Sequence, residues 1–321
     1  MDVADIQEYN TCMKILVSGV AGFLGSHLAE LMLSKGHSIL GLDDFSTGSN
    51  KNLAKLYEHG NFQLIKHDIR DPIFLDVDVV LNFACPASPV HYQNDPVRTL
   101  ETNVLGMLNM LKLAQKSSAI IIQSSTSEVY GDPKESPQTE SYWGNVNPIG
   151  IRSCYDEGKR AAETLCFDYH RQYGVDARVV RIFNTYGPNM SLNDGRVVSN
   201  FIVQALRNEN ISIYGQGNQT RSFCFVSDLI EAIYRVMTMR ENITMPINLG
   251  NPNEITVFEL AQKIINMTNS NSKIEYKSIP KDDPTNRKPD IALAKNILNW
   301  EPLISLENGL AQTINYFKEL V

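Results

Sequence analysis

From Lys14 onward, short apolar runs alternate with amphipathic stretches. Ile15-Leu16-Val17 is an apolar run of the kind that a parallel strand buried on both faces shows. It leads into Gly19-Val20-Ala21-Gly22-Phe23-Leu24-Gly25, then a helical stretch over 26–35 that ends at Gly36, then a second strand over 38–42 ending at Asp43. The same alternation predicts strands over 62–66, 77–83, 119–123 and 177–183, with helices over 96–115 and 156–173. Strands that alternate with helices imply a mostly parallel sheet covered on both faces.

Beyond Tyr186-Gly187-Pro188 the texture changes. Turn-rich pieces such as Asn193-Asp194-Gly195 and Gly215-Gln216-Gly217-Asn218 separate shorter helices, expected over 197–207 and 257–266. Residues 246–250 read as one more strand returning to the first sheet. The expected fold is α/β: a Rossmann-like, doubly wound parallel sheet with a smaller, discontinuous α/β substrate-binding lobe. The dinucleotide-binding domain is expected over 1–186 with a returning strand near 244–250, and the second lobe over 187–321.

Composition narrows the classes. The chain has 321 residues, about twice the ~150 of an average domain. At 43% hydrophobic and 20% charged it is an ordinary core-forming sequence. Lys plus Arg number 29 against 36 Asp plus Glu, a net charge of -7, which disfavours a nucleic-acid surface. No run reaches the roughly 18 apolar residues of a membrane-spanning helix. Residues 1–14 carry three acids and no apolar segment, so neither a signal nor a transit peptide is expected, and the expected location is cytoplasmic. The five cysteines show no paired spacing and the six histidines no H-x-x-x-H pair, so no disulfide and no metal is expected.

The glycines at 19, 22 and 25 follow a strand and open a helix. A tight turn there brings backbone N–H groups and a helix N-terminus to a pyrophosphate. Asp43 ends the next strand 18 residues after Gly25, placed to accept hydrogen bonds from ribose hydroxyls and to repel a 2′-phosphate. No Arg or Lys occurs from Asp44 to Asn50, so the expected cofactor is NAD rather than NADP. Asp68, after the third strand, is a candidate for the adenine edge, with a turn cap as its alternative. Further cofactor candidates are Phe23 and Leu24 in the turn, then Asp44, Phe45, Ser46, Thr47 and Gly48 after the second strand. Ile69, Phe83, Ala84, Cys85 and Thr102 complete them.

Tyr155 and Lys159 stand four apart, on one face of a helix turn. A phenol with pKa ~10 is a poor base at neutral pH, and a neighbouring ammonium favours its phenolate. The strand over 119–123 runs into Ser125-Thr126-Ser127-Glu128-Val129-Tyr130. Ligands of parallel sheets sit at the carboxyl ends of strands, so Thr126, Ser127 and Glu128 should face the same crevice as Tyr155.

With these motifs the chain resembles the extended short-chain dehydrogenase/reductases that act on sugar nucleotides, and among them most the UDP-glucuronate decarboxylases. The resemblance runs from about Lys14 to the C-terminus. It is specific in Ala84-Cys85-Pro86-Ala87-Ser88-Pro89-Val90, in the 125–132 and 142–148 segments, and in Ser153-Cys154-Tyr155-Asp156-Glu157-Gly158-Lys159-Arg160. It continues through the segments 181–188, 195–200, 219–223 and 287–290.

The resemblance implies oxidation of the sugar at C4, giving a 4-keto intermediate. A related 4,6-dehydratase carries an Asp where Ser127 stands, and a 4-epimerase a small residue where Glu128 stands. A serine suits a substrate with a C6 carboxylate, which an Asp would repel. By the same resemblance, Arg287 is the cation beside that carboxylate, Glu128 assists proton transfer, and Asn184, Arg196, Tyr214, Gln219 and Arg221 bind the UDP portion. Pro86, Ser88 and Val198 are further substrate positions. Glu101 is another, standing where the family has a lysine near the sugar acid; Lys112 and Lys116 are candidate substitutes.

The alternatives are an oxidative decarboxylase releasing a UDP-4-keto-pentose, another nucleotide-sugar 4-epimerase or 4,6-dehydratase, and a cofactor-sensing binding protein. A homodimer is expected, because helices 96–115 and 156–173 carry apolar residues on more than one face, including Leu105, Leu108, Leu111, Leu165, Cys166 and Phe167.

Overall fold

In a computed structural model, the described residues are 12–241, 243–279, 282, 284 and 286–321. Residues 1–11 of the N-terminal stretch, and part of the charged run around Arg287, lie outside them.

Seven short apolar runs pair in parallel. They are β1 (Lys14–Ser18), β2 (Ser38–Asp43), β3 (Phe62–Lys66), β4 (Val79–Asn82), β5 (Ile120–Thr126), β6 (Ala177–Ile182) and, late in the chain, Ile247–Leu249. Three small two-stranded sheets intervene or follow, pairing β7 (Thr185–Tyr186) with β10 (Cys224–Phe225), β8 (Ile211–Tyr214) with β13 (Ile274–Lys277), and β9 (Thr220–Ser222) with β12 (Glu254–Thr256). The returning strand Ile247–Leu249 is thus β11. The large sheet has the order β11-β6-β5-β4-β1-β2-β3. Strand β1 shows why its apolar run is unbroken: Ile15 and Val17 join the core on one face and Leu16 the core on the other, all fully buried.

The order reverses at β1, whose neighbours are β2 on one side and β4 on the other. Open α/β sheets bind ligands outside such a reversal point, and here the turn after β1 meets the loop after β4. Ser18 fastens the two: its hydroxyl donates to Asn82 Oδ1 at 2.7 Å and accepts from the Phe83 N–H at 3.0 Å.

The helices are α1 (Phe23–Ser34), α2 (Pro89–Asn94), α3 (Pro96–Glu101), α4 (Met107–Ser117), α5 (Ser153–Tyr173), α6 (Val197–Leu206), α7 (Val226–Thr238), α8 (Val257–Thr268), α9 (Ala292–Leu298) and α10 (Leu306–Lys318). Two differ from expectation. The single helix over 96–115 is α3 and α4 joined by a π-helical turn, Thr102–Gly106. Within that turn Gly106 lies so close to Ile69 that any Cβ would collide with it. Helix α5 starts three residues earlier than Asp156, which brings Tyr155 inside its first turn. Residues after 186 return to the first lobe through helices as well as through β11: α7 packs against α1, and α9 against β11. No described helix is long and apolar enough to cross a membrane.

Candidate active site

A cavity of about 820 Å³ runs along the carboxyl ends of β1, β4 and β5. At one end the turn after β1 is built to let something approach. Gly19 has φ +72°, and a Cβ on it would strike the Phe83–Ala84 backbone; one on Gly25 would fall on the Gly19 carbonyl. The N-cap of α1 is Gly22, with no side chain closing the helix N-terminus. A cradle with no room for Cβ atoms and an uncapped 12-residue helix fit a pyrophosphate, and so an NAD-type cofactor. Gly19, Gly22, Phe23, Leu24, Gly25, Thr47, Phe83 and Cys85 all line this stretch.

Tyr155 and Lys159, the latter also a candidate to hold the nicotinamide ribose, line the cavity further along, and the other cofactor candidates lie off its wall. Asp43 is buried, and its carboxylate accepts the N–H groups of Ala21 and Phe45, each at 2.8 Å, which ties the glycine turn to the loop after β2. Burial pushes its carboxyl upward. Asp44, Phe45, Ser46, Gly48, Asp68, Ile69, Ala84 and Thr102 flank the same end. There Arg98 donates to Asp44 at 2.6 Å and to Asp68 at 3.0 Å, while Arg70 pairs with Asp68 at 2.9 Å and with Glu101 at 2.5 Å. This network bears on two expectations. A cation does stand beside the loop after β2, since α3 delivers Arg98 to it, but two carboxylates hold that cation. Glu101, expected at the substrate, is drawn by Arg70 to the end of α3 and lines no part of the cavity; Pro86 is likewise off its wall. Lys112 and Lys116 also lie off it, the latter over the Phe74 ring.

The middle of the cavity holds the expected reactive groups. Tyr155 and Lys159 are buried on α5, with the ammonium 5.8 Å from the phenol ring centroid and donating to the Ser124 carbonyl at 2.8 Å. Burial pushes the Tyr155 phenol up and the Lys159 ammonium down; the Thr126 hydroxyl works to lower the phenol. Thr126, Ser127 and Glu128 are carried to the wall by the end of β5 and the 3₁₀ turn that follows.

Glu128 is clamped. Arg152 donates to its Oε2 at 2.6 Å and Arg287 at 3.1 Å. Burial alone would raise its carboxyl, yet Arg287 and Arg152 hold it down to about 2. Arg287 is 1% exposed and also donates to the Gly131 carbonyl at 2.7 Å. At the far end Ser88, Asn184, Arg196, Val198, Tyr214, Gln219 and Arg221 line the wall. Arg196 is paired with Asp194 at 2.6 Å, and Arg221 donates to the Pro284 carbonyl at 2.7 Å.

Two wall residues escaped the sequence reading. Tyr92 on α2 stacks flat on Tyr155, with ring centroids 5.0 Å apart and 5° between planes. Its hydroxyl is buried with no hydrogen-bond partner. Arg152, just before α5, sits three residues from Tyr155, a spacing that places both on one helix face.

The family model described as GDP-mannose 4,6 dehydratase matches residues 16–313. The chain belongs to that family, within the extended short-chain dehydrogenase/reductases. It is 54% identical over 303 residues to UDP-glucuronic acid decarboxylase 6 of Arabidopsis thaliana, covering 94% of this chain and 88% of that one. It is 50% identical over 306 residues to UDP-glucuronic acid decarboxylase 1 of Xenopus tropicalis, covering 95% and 72%. Among solved structures, UDP-glucuronic acid 4-epimerase from Bacillus cereus in complex with UDP-glucuronic acid and NAD matches with TM-score 0.87 at 27% identity, covering 96% of this chain and 100% of that one.

Proposed function

We propose that this cavity converts UDP-glucuronate to UDP-xylose and CO2 with no net redox change, using NAD held on the glycine turn. The observation that carries this reading is Arg287: a fully buried guanidinium on the cavity wall, clamped to Glu128 beside Tyr155, is a cation placed for a sugar carboxylate. The relatives named above point to the same substrate, and the epimerase supports the cofactor.

The chemistry follows from the groups present. Tyr155, with the Lys159 charge beside it and the Thr126 hydroxyl against it, takes the proton of the C4 hydroxyl. The turn of Gly19, Gly22 and Gly25 would hold NAD, which would supply a hydride acceptor for C4 and the donor for its later reduction. Once C4 is a ketone, the C6 carboxylate is a β-keto acid, and loss of CO2 leaves an electron pair in the C4–C5 enolate. Arg287 and Ser127 hold the carboxylate, C5 is protonated, and Tyr155 returns its proton to the C4 oxygen. Asn184, Tyr214, Gln219, Arg196 and Arg221 hold the UDP end, remote from the reacting carbons, so their binding energy retains the intermediate without opposing the chemistry.

The rest of the proposal concerns context. Residues 1–186 serve the cofactor and 187–321 mainly the sugar nucleotide. The assembly is a homodimer through α3 to α5. Leu111 and Cys166 are spent inside the subunit, so the apolar contact rests on exposed Val97, Leu100 and Leu105. Five unpaired cysteines suit a reducing, cytoplasmic location.

An NMR time course with UDP-glucuronate, catalytic NAD and no added reductant tests the reading. One UDP-xylose and one CO2 per substrate are expected. Release of a UDP-4-keto-pentose with stoichiometric reduced nicotinamide would move the protein to the oxidative alternative, and absence of CO2 would reject both.

A further inference from the structure

Resting on the decarboxylase reading, proton balance poses a question that the expected residues leave open. The Tyr155 proton and the hydride are borrowed and returned. The carboxylate leaves as CO2 and a hydrogen takes its place on C5, so every turnover consumes one proton from outside. Glu128, held as a carboxylate by Arg152 and Arg287, has none to give at neutral pH.

Behind Glu128 lies a second, smaller cavity of about 60 Å³. That is room for ordered water. Its inner wall is Glu128, Arg152, Arg287 and Asp156; its outer wall includes Asp132, Asn145 and Asn147, all exposed. Glu128, Arg152 and Arg287 line both cavities, so the small one lies directly behind the reaction site with these three side chains between the two. Asp156 is 6% exposed, and its Oδ1 is buried with no hydrogen-bond partner. Buried polar atoms of native proteins are rarely left so, and a buried carboxyl in the wall of a polar, water-sized cavity fits a proton carrier.

We propose that Asp156 holds the proton that ends on C5, passing it through water in the small cavity toward Glu128 and the reacting carbon. The Asp156 O–H bond breaks and the C5–H bond forms from the enolate electron pair; the carboxylate left behind is reprotonated from solvent through the Asp132–Asn145–Asn147 rim. The surroundings keep that proton in place near neutrality. Burial and the Glu128 charge push the Asp156 carboxyl up to about 8, against the pull of Arg152 and Arg287. Glu157 on the same helix adds to the rise, and Tyr92 faces the group from α2. The two arginines thus fix the negative charge on Glu128 and leave the proton on Asp156.

The test is a pair of single-turnover rates on the NAD-loaded enzyme with UDP-glucuronate. In the wild type, formation of reduced nicotinamide should not fall as pH rises, whereas its reoxidation, which follows C5 protonation, should fall above about pH 8. In Asp156→Asn, which keeps the shape and cannot deliver a proton, reoxidation should slow by roughly 10²-fold and lose that alkaline limb. Asp156→Glu should restore both. Infrared difference spectra without substrate should show a carboxylic-acid C=O band that titrates near 8 in the wild type and is missing in Asp156→Asn. UDP-xylose formed by the wild type without an alkaline limb in reoxidation, or an unchanged Asp156→Asn, overturns this assignment alone. A wild type that forms no UDP-xylose overturns the decarboxylase reading with it.

Discussion

At the ends of β2 and β3, Asp44, Asp68 and Glu101 close on Arg70 and Arg98, each carboxylate within 3.0 Å of a guanidinium nitrogen. At the end of β5, Ser88, Tyr92, Asp156 and Arg287 each keep a buried polar atom with no partner, and only His37 shares that condition among the described residues. The first region satisfies its own charges. The second leaves polar groups around Tyr155 that the protein itself does not pair, the kind of group that a bound ligand or water satisfies.

Substitutions at the two ends should therefore separate activity from stability. The largest effect is expected at Tyr155→Phe: turnover falls by at least ~10²-fold while NAD remains bound, measured by steady-state rate and cofactor retention. A variant keeping more than about a tenth of the wild-type rate would remove Tyr155 from the role of base. Arg287→Ala should come next, losing CO2 release and substrate affinity together. Because Arg287 is buried against Glu128 and the Gly131 carbonyl, it should also lose stability in denaturant unfolding, by less than the about 3–5 kcal/mol of an unpaired buried charge, since Arg152 still holds Glu128.

Tyr92→Phe tests the contrast most cleanly. Removing a buried hydroxyl that has no partner should leave unfolding stability unchanged or raise it by up to about 1–3 kcal/mol, while KM for the sugar nucleotide rises. A destabilised Tyr92→Phe with unaltered KM would erase the distinction between the two ends. The smallest effect is expected at Arg98→Ala. Its partly exposed pairs are worth about 0.2–1 kcal/mol each, and kcat at saturating NAD should not change.

What could be seen in the sequence depended on how local its cause was. The first six strands of the large sheet, the glycine turn and the Tyr155–Lys159 pair were legible, because each is written within a dozen residues by hydrophobic period, by steric need for glycine, or by helix spacing. β11 was also legible as a late apolar run after the turn-rich segment. The charge network was not, since Arg98 reaches Asp44 across 54 positions of the chain. The partner of Glu101 was hidden for the same reason: Arg70 comes from the loop after β3. The π-helical turn escaped because its cause, Gly106 against Ile69, is a tertiary contact. Asp156 stood in a recognised motif between Tyr155 and Lys159, yet only the small cavity behind it distinguishes it from a first-turn helix acid.

The most direct test of the redox-neutral route is to run the reaction to completion in D2O and read the product by NMR. If the hydrogen at C4 is lent and returned and the hydrogen at C5 comes from solvent, UDP-xylose will carry one deuterium at C5 and none at C4. Deuterium at C4, or protium filling both positions at C5, would contradict it.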